Sequence, residues 1–219
     1  MTVAEQLDGV VDRVASAARR AGREPDSVQL VAVSKTFPAD VIRSAIARGQ
    51  RVFGENRVQE AQQKWPQLKA ETGGIELHLI GPLQSNKAAD AVALFDVIET
   101  VDREKIARVL SEETKRQGRS LRFYVQVNTG LEPQKAGLAP DETVEFVRFC
   151  DEELGMKVEG LMCIPPAGEN PGPHFALLAK LGAECGLSKL SMGMSGDFDT
   201  AIEFGATSVR VGSAIFGTR

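Results

Sequence analysis

Cysteine is scarce: Cys150, Cys163 and Cys185 are the only three in 219 residues. An odd count with no C-x-x-C pair is a poor disulfide framework, and it fits a reducing compartment, the cytoplasm. Positive charge is not in excess. Lys and Arg number 26 against 30 Asp and Glu, a formal net charge of −4, and the pI is about 5.4. A general nucleic-acid binder shows a basic balance, so no nucleic-acid partner is expected. A local basic pocket for a small anion stays open. No run approaches the roughly 18 apolar residues that span a membrane. The N-terminal MTVAEQLDGVVDRVASAARRAG mixes acidic residues into an amphipathic pattern, without the apolar stretch or cleavage signature of a signal peptide. No low-complexity segment and no Pro/Gly/Ser linker divides the chain, so residues 1–219 read as one domain. No cluster of His, Cys and carboxylates has metal-ligand spacing, and no G-x-G-x-x-G follows the first strand.

What is present is alternation. The chain is 42% hydrophobic, enough for one sizeable core. A helix is expected over residues 2–21, with Val3, Leu7, Val10, Val11, Val14 and Ala18 on one stripe and Gly22 as its stop. Short apolar runs then predict strands at 28–33, 51–54, 76–81, 97–100, 121–128, 157–162, 189–193 and 208–212. Helices are expected near 38–48, 55–70, 84–94, 102–117, 140–154, 172–186 and 197–204. Asp102, Pro140-Asp141 and Asp197 read as helix starts and Gly205 as a stop. Strands apolar on both faces and separated by helices form parallel sheets. Eight of them predict a closed α/β (β/α)₈ TIM barrel with an extra N-terminal helix. The alternative is an open doubly wound sheet.

Function in such a barrel sits at the C-terminal strand ends. In VAVSKTFPADV, Lys35 ends the first strand. The other strand ends carry Glu55 and Asn56, Gln84 to Asn86, Thr100, Asn128, Met162 and Cys163, Ser191 to Ser195, and Arg210 to Ser213. SMGMSGDFD and RVGSAIFG read as a phosphate cradle, with Gly193, Gly196 and Gly212 allowing close backbone approach and Ser195 and Ser213 offering hydroxyls. An amine at a strand end, facing a phosphate site and partly desolvated, is placed to form a Schiff base with the aldehyde of a phosphorylated ring. A snorkelling lysine that caps a barrel layer is the plainer alternative. His78, between Leu77 and Leu79, reads as a core or supporting residue, Cys163 as a small buried hydrophobe, and Trp65 as the anchor of the helix after strand two.

VAVSKTFPADVIRSAIARGQRVFGENRVQEAQQK, LHLIGPLQSNK, VNTG, GLMCI and LSMGMSGDFDTAIEFGATSVRVGSAIFG together resemble the pyridoxal phosphate homeostasis proteins, the pyridoxal 5′-phosphate (PLP) binding proteins of the YggS/PROSC type. The likeness covers nearly the whole chain. It implies a barrel like the N-terminal domain of alanine racemase, with PLP as a reversible Schiff base on Lys35. Ser195, Gly212 and Ser213 would hold the phosphate, and Arg210 would face the pyridine nitrogen. Asn56, Asn128 and Met162 would line the ring pocket, with His78 and Ser191 nearby. The sequence departs in LHL, GDF and Ser213, where an aromatic residue, an acidic residue with Met, and Thr are usual. Ser for Thr keeps the hydroxyl.

The resemblance implies a monomeric, cytoplasmic carrier in vitamin B6 homeostasis that catalyses no reaction and supplies PLP to PLP-dependent apo-enzymes. Arginine accepts no proton, so beside the pyridine nitrogen it disfavours the pyridinium and weakens the ring as an electron sink. A PLP-dependent amino-acid racemase is the alternative. It needs a second base, and the sole tyrosine, Tyr124, lies early in strand five, with no room after strand eight for the domain that would supply another. A class I aldolase using the same lysine and cradle is a third reading, with Glu55 and Glu99 as its candidate strand-end carboxylates.

Overall fold

The computed structural model describes residues 1–217. The first helix, α1 (Val3–Arg20), starts on a capping box in which Thr2 and Glu5 satisfy each other's backbone N–H groups. It precedes eight strands: β1 (Gln29–Val33), β2 (Val52–Glu55), β3 (Glu76–Leu79), β4 (Val97–Val101), β5 (Arg122–Val127), β6 (Val158–Cys163), β7 (Lys189–Ser191) and β8 (Ser208–Val211). Helices α2 (Ala39–Ala47), α3 (Val58–Glu71), α4 (Ala88–Leu94), α5 (Glu104–Gln117), α6 (Thr143–Glu152), α7 (Gly172–Glu184) and α8 (Phe198–Glu203) follow the first seven strands, and α9 (Ser213–Phe216) follows the last. The strands pair in sequence order, all parallel, and β8 closes onto β1 with Val31 opposite Arg210. The expected TIM barrel is the observed one, and the open sheet is excluded.

Alternation along the strands divides the side chains into two sets. One set faces the helices and forms the main core, with Phe53 against Trp65 (ring centroids 5.0 Å apart), Ile98, Val125, Leu161 and Val211. Trp65 is fully buried there, in the anchoring role expected of it. The other set fills the barrel, where Val97, Tyr124 and Met162 pack together against Ile164. Helix α1 lies outside the barrel against α2, α8 and α9. Arg13 and Arg20 both pair with Asp199 there, and Arg13 stacks on Phe198.

Several element ends differ from expectation. Strand β3 stops at Leu79, because Gly81 and Pro82 follow and Pro has no N–H to donate. Strand β7 stops at Ser191, ahead of the left-handed turn at Gly193 (φ 94°). Asp102 does not cap α5: its carboxylate pairs with Arg103, which is itself the cap residue. Pro140 and Asp141 form a 3₁₀ turn over Pro140–Glu142 before α6 begins at Thr143. Asp197 does stand at the N-cap of α8 as expected, but its carboxylate accepts from the Met194 N–H (2.6 Å) of the preceding turn and makes no cap bond to the helix.

Candidate functional site

A cavity of about 400 Å³ opens at the C-terminal strand ends, lined by Lys35, Asn56, Ser195, Arg210, Gly212 and Ser213. Val33, Ile80, Ile164 and Met194 supply its apolar wall. Lys35 reaches it by alternation: Val31 and Val33 face the barrel, and Lys35 continues that row past the strand end. The side chain is exposed and makes no hydrogen bond or ion pair among the described residues. The desolvation expected for a nucleophilic amine is therefore absent, because the strand ends before the lysine and the cavity mouth is open. Asn56 follows β2 and is held from below by Gly81. A Cβ at Gly81 would stand 2.2 Å from the Asn56 carbonyl oxygen, so only glycine fits that approach.

Across the cavity, the turn after β7 and the start of α9 bring two hydroxyls together, Ser213 Oγ and Ser195 Oγ, 3.2 Å apart. The Ser195 and Gly196 N–H groups have no partner among the described residues. Two hydroxyls, free N–H groups and a glycine edge suit a phosphate dianion. Facing them at distance is a primary amine. The set fits a phosphorylated aldehyde such as PLP.

Arg210 forms the floor. It is 4% exposed. Its Nη2 donates to the Cys163 carbonyl (2.8 Å) and its Nη1 to Ser191 Oγ (2.6 Å). Its Nε makes no hydrogen bond among the described residues. Beneath it runs a chain of polar groups, buried from Ser191 through Glu99 to His78 and half-buried at Glu76 and Arg122. Ser191 Oγ donates to Glu99 Oε2 (2.5 Å), and Glu99 Oε1 accepts from His78 Nδ1 (2.5 Å). His78 Nε2 meets Glu76 Oε1 (2.7 Å), and Glu76 pairs with Arg122 at the opposite end of the barrel (2.5 Å). Such interiors are usually layers of Val, Ile and Leu; here an ionic column crosses from the N-terminal end to the mouth.

Carboxylates only accept hydrogen bonds, so with one against each ring nitrogen His78 carries both protons. Burial opposes that charge, but the bonds to Glu76 and Glu99 outweigh it and raise the His78 pKa. Burial likewise opposes ionisation of Glu99, yet His78, Arg210 and Ser191 hold it below the usual carboxylate range. The His78 hydrogen bond lowers Glu76 to about 2, against the opposing effect of burial.

A pH profile follows from these directions. His78, raised when folded, contributes stability that is complete below 6.5 and lost as pH rises through its folded value. Glu76, depressed when folded, contributes stability present above 4.5 and lost as pH falls towards 2, and Glu99, also depressed, acts in the same direction. Urea midpoints measured against pH are expected to peak between those limits. His78→Gln should flatten the alkaline limb; an unchanged limb would mean that His78 folds uncharged.

Of the ten residues proposed for cofactor binding, Lys35, Asn56, Ser195, Arg210, Gly212 and Ser213 meet in the cavity. His78 and Ser191 lie beneath it, acting on it through Arg210. Asn128 and Met162 do not line it. The Asn128 amide is turned to Glu132, donating to its carbonyl (2.8 Å) and accepting from its N–H (3.2 Å). Met162 is fully buried in the barrel interior. Cys163 is buried too, and burial pushes its thiol up to about 12, so it packs as a hydrophobe. Lys87 borders a separate groove of about 500 Å³ that shares Asn56 with the cavity. Sequence reasoning missed Glu76 and Arg122. It named Glu99 only as an aldolase carboxylate, whereas the side chain is spent on His78, Ser191 and Arg210. The signal was there: Glu76 and His78 are two apart in one strand and share a face, and a glutamate inside VIETV requires a buried partner.

The alanine racemase N-terminal domain family matches residues 6–219. The pyridoxal phosphate homeostasis protein of Pseudomonas aeruginosa is 43% identical, over 100% of this chain and 96% of that protein. Among solved structures, PipY of Synechococcus elongatus without PLP superposes with a TM-score of 0.89 at 38% identity, covering 99% of this chain and 100% of that one. PipY with PLP bound gives 0.84 at the same identity and coverage. Among the described residues no helix is long and apolar enough to cross a membrane, and no cluster of His, Cys, Asp and Glu could hold a metal ion.

Proposed function

The chain belongs to the alanine racemase N-terminal domain family, and from that membership we propose that it binds PLP in vitamin B6 homeostasis, holding it reversibly as a Schiff base on Lys35. The observation that carries this is the single cavity joining an unpaired lysine amine to a cradle of two hydroxyls. When bound, PLP supplies an aldehyde that condenses with a primary amine: the nitrogen–carbon bond forms and the oxygen leaves as water, with no redox change. Lys35 provides that amine. Ser195, Ser213 and the N–H groups of the turn after β7 hold the phosphate. Asn56 and the apolar wall flank the ring. Arg210 faces the pyridine nitrogen as a donor that cannot deprotonate.

Storage and release need only these parts, and on this reading the chain is a cytoplasmic, monomeric carrier that hands PLP to apo-enzymes rather than an enzyme. Racemisation would require a base on each face of the bound ring. Tyr124, the candidate for that role, packs inside the barrel with Val97 and Met162 and does not line the cavity. An open mouth also suits transfer to a partner, because Lys35 is reachable from solvent.

The test is a visible absorption spectrum with added PLP, followed by borohydride reduction and peptide mapping. A new band above the free-aldehyde absorption, with the reduced adduct on the Lys35 peptide, is expected. No band and no adduct would move the phosphorylated-sugar aldolase reading to the front. Incubating the loaded protein with L-alanine and assaying D-alanine then separates carrier from racemase, and steady turnover would overturn the carrier reading.

A further inference from the structure

The backbone that carries Lys35 is held by a buried ionic clamp on its outer side. Alternation points Ser34 and Glu55 away from the cavity, between the barrel and α3. Lys64, on α3 and 8% exposed, places its ammonium 2.9 Å from Glu55 Oε1 and 3.1 Å from Glu60 Oε1. The same ammonium donates to the carbonyls of Ser34 (2.9 Å) and Phe37 (3.1 Å), the two that bracket Lys35 and Thr36. Ser34 Oγ donates to Glu55 Oε1 (2.6 Å), as does Trp65 Nε1 (3.0 Å). The Thr36 N–H donates to Glu60 Oε1. Thr36 itself is left-handed (φ 67°), a conformation a β-branched residue adopts only when its surroundings impose it.

Stability does not account for this arrangement. A buried Lys–Glu pair is often no better than apolar residues of the same volume. Glu55 Oε2 is also buried without a hydrogen-bond partner among the described residues, a further penalty. What the clamp achieves is a fixed four-residue turn around one side chain that is left free. A nucleophile on an immobilised backbone meets its target at a defined place, whereas one on a loose loop does not.

We propose that Lys64 and Glu55 are positioning residues for Lys35: they fix the turn at Ser34–Phe37 so that the amine meets the aldehyde of phosphate-anchored PLP. The proposal rests on the PLP reading above. The clamp sets the balance between PLP attached covalently and PLP held by its phosphate alone, and so sets how readily the carrier lets go.

The experiment compares wild type with Lys64→Met at saturating PLP. It reads the ratio of attached to unattached bound PLP from the visible spectrum and from the borohydride adduct on Lys35. A fall of about tenfold or more is expected, because small misplacements of a reacting group have effects of that order or larger. A purely structural lysine would shift the urea midpoint and leave the ratio at saturation unchanged; that result in the folded variant overturns the proposal. If Lys64→Met does not fold, Glu60→Ala takes its place. It removes the Thr36 N–H contact from the partly exposed end of the clamp, and an unchanged ratio there overturns the proposal equally. An absent Lys35 adduct in wild type sinks the PLP reading itself, whereas a wild-type adduct with unaltered variants sinks only the clamp.

Discussion

Replacing Glu99 by alanine is expected to destabilise the protein by about 3–5 kcal/mol, the usual consequence of removing one partner from a buried ion pair. Glu99 is fully buried between two cations, with His78 Nδ1 at 2.5 Å and Arg210 Nη1 at 3.8 Å, and it also receives the Ser191 hydroxyl. Alanine leaves the imidazolium with one counter-charge instead of two, and Arg210 with no ion-pair partner among the described residues. The side chain is too deep for water to substitute freely. Urea denaturation at neutral pH measures the loss, and a loss below about 1 kcal/mol would mean that the column is not ionised as described. Glu99→Gln separates charge from shape. Its amide can still meet Ser191 and His78, so the packing survives while His78 loses one reason to be protonated. The His78 pKa, followed by NMR, should fall in that variant. The effect reaches the cavity as well, because Ser191 is both Glu99's donor and Arg210's acceptor.

Lys35→Ala is expected to do the opposite: leave stability nearly intact and abolish covalent attachment. The side chain is exposed and unpaired among the described residues, and substitutions at such positions usually stay within about 0.5 kcal/mol. The backbone of the turn is held by Lys64 and Glu60, not by the lysine side chain, so the cavity keeps its shape. The band seen with wild type should be missing and borohydride should leave no adduct at residue 35, while PLP still competes with inorganic phosphate for Ser195 and Ser213. A folded Lys35→Ala protein with an unchanged spectrum would refute the assignment of Lys35. Loss of phosphate competition as well would show that the lysine shapes the cradle, which the geometry does not suggest.

The architecture was legible because barrel strands are local signals. Each is a short apolar run bounded by helix starts and glycines, and its length and spacing do not depend on the rest of the chain. Lys35 was legible for the same reason: strand, lysine, turn and helix follow one another within a dozen residues. The SMGMS and RVGS segments stand out by composition, and the resemblance supplied their role. Two of the expected residues, Asn128 and Met162, do not line this cavity. Asn128 and Met162 are at the right strand, but whether a side chain reaches the cavity depends on how far the strand extends and which way the following loop folds. At β5 the loop turns back and captures the Asn128 amide through Glu132. At β6 the Met162 side chain packs into the barrel interior with Val97 and Tyr124.

Sequence by itself determined the eight-strand count, the parallel order, the lysine at the first strand end and the glycine- and serine-rich turns at the last two. These rest on periodicity, chain punctuation and chemical type, all properties of neighbours along the chain. Tertiary structure decided what those residues meet. Closure of β8 onto β1 sets Arg210 beside Val31, residues 179 positions apart, and no local pattern encodes that register. Pairing of β3 with β4 sets Glu99 against His78, where burial and opposite charge, not residue type, fix their protonation. And Lys64, which nothing in the local sequence singles out, is buried at the back of the Lys35 turn because α3 packs there. A side chain's environment is set by elements distant in sequence, so its charge state and its task become visible only once the chain has folded around it.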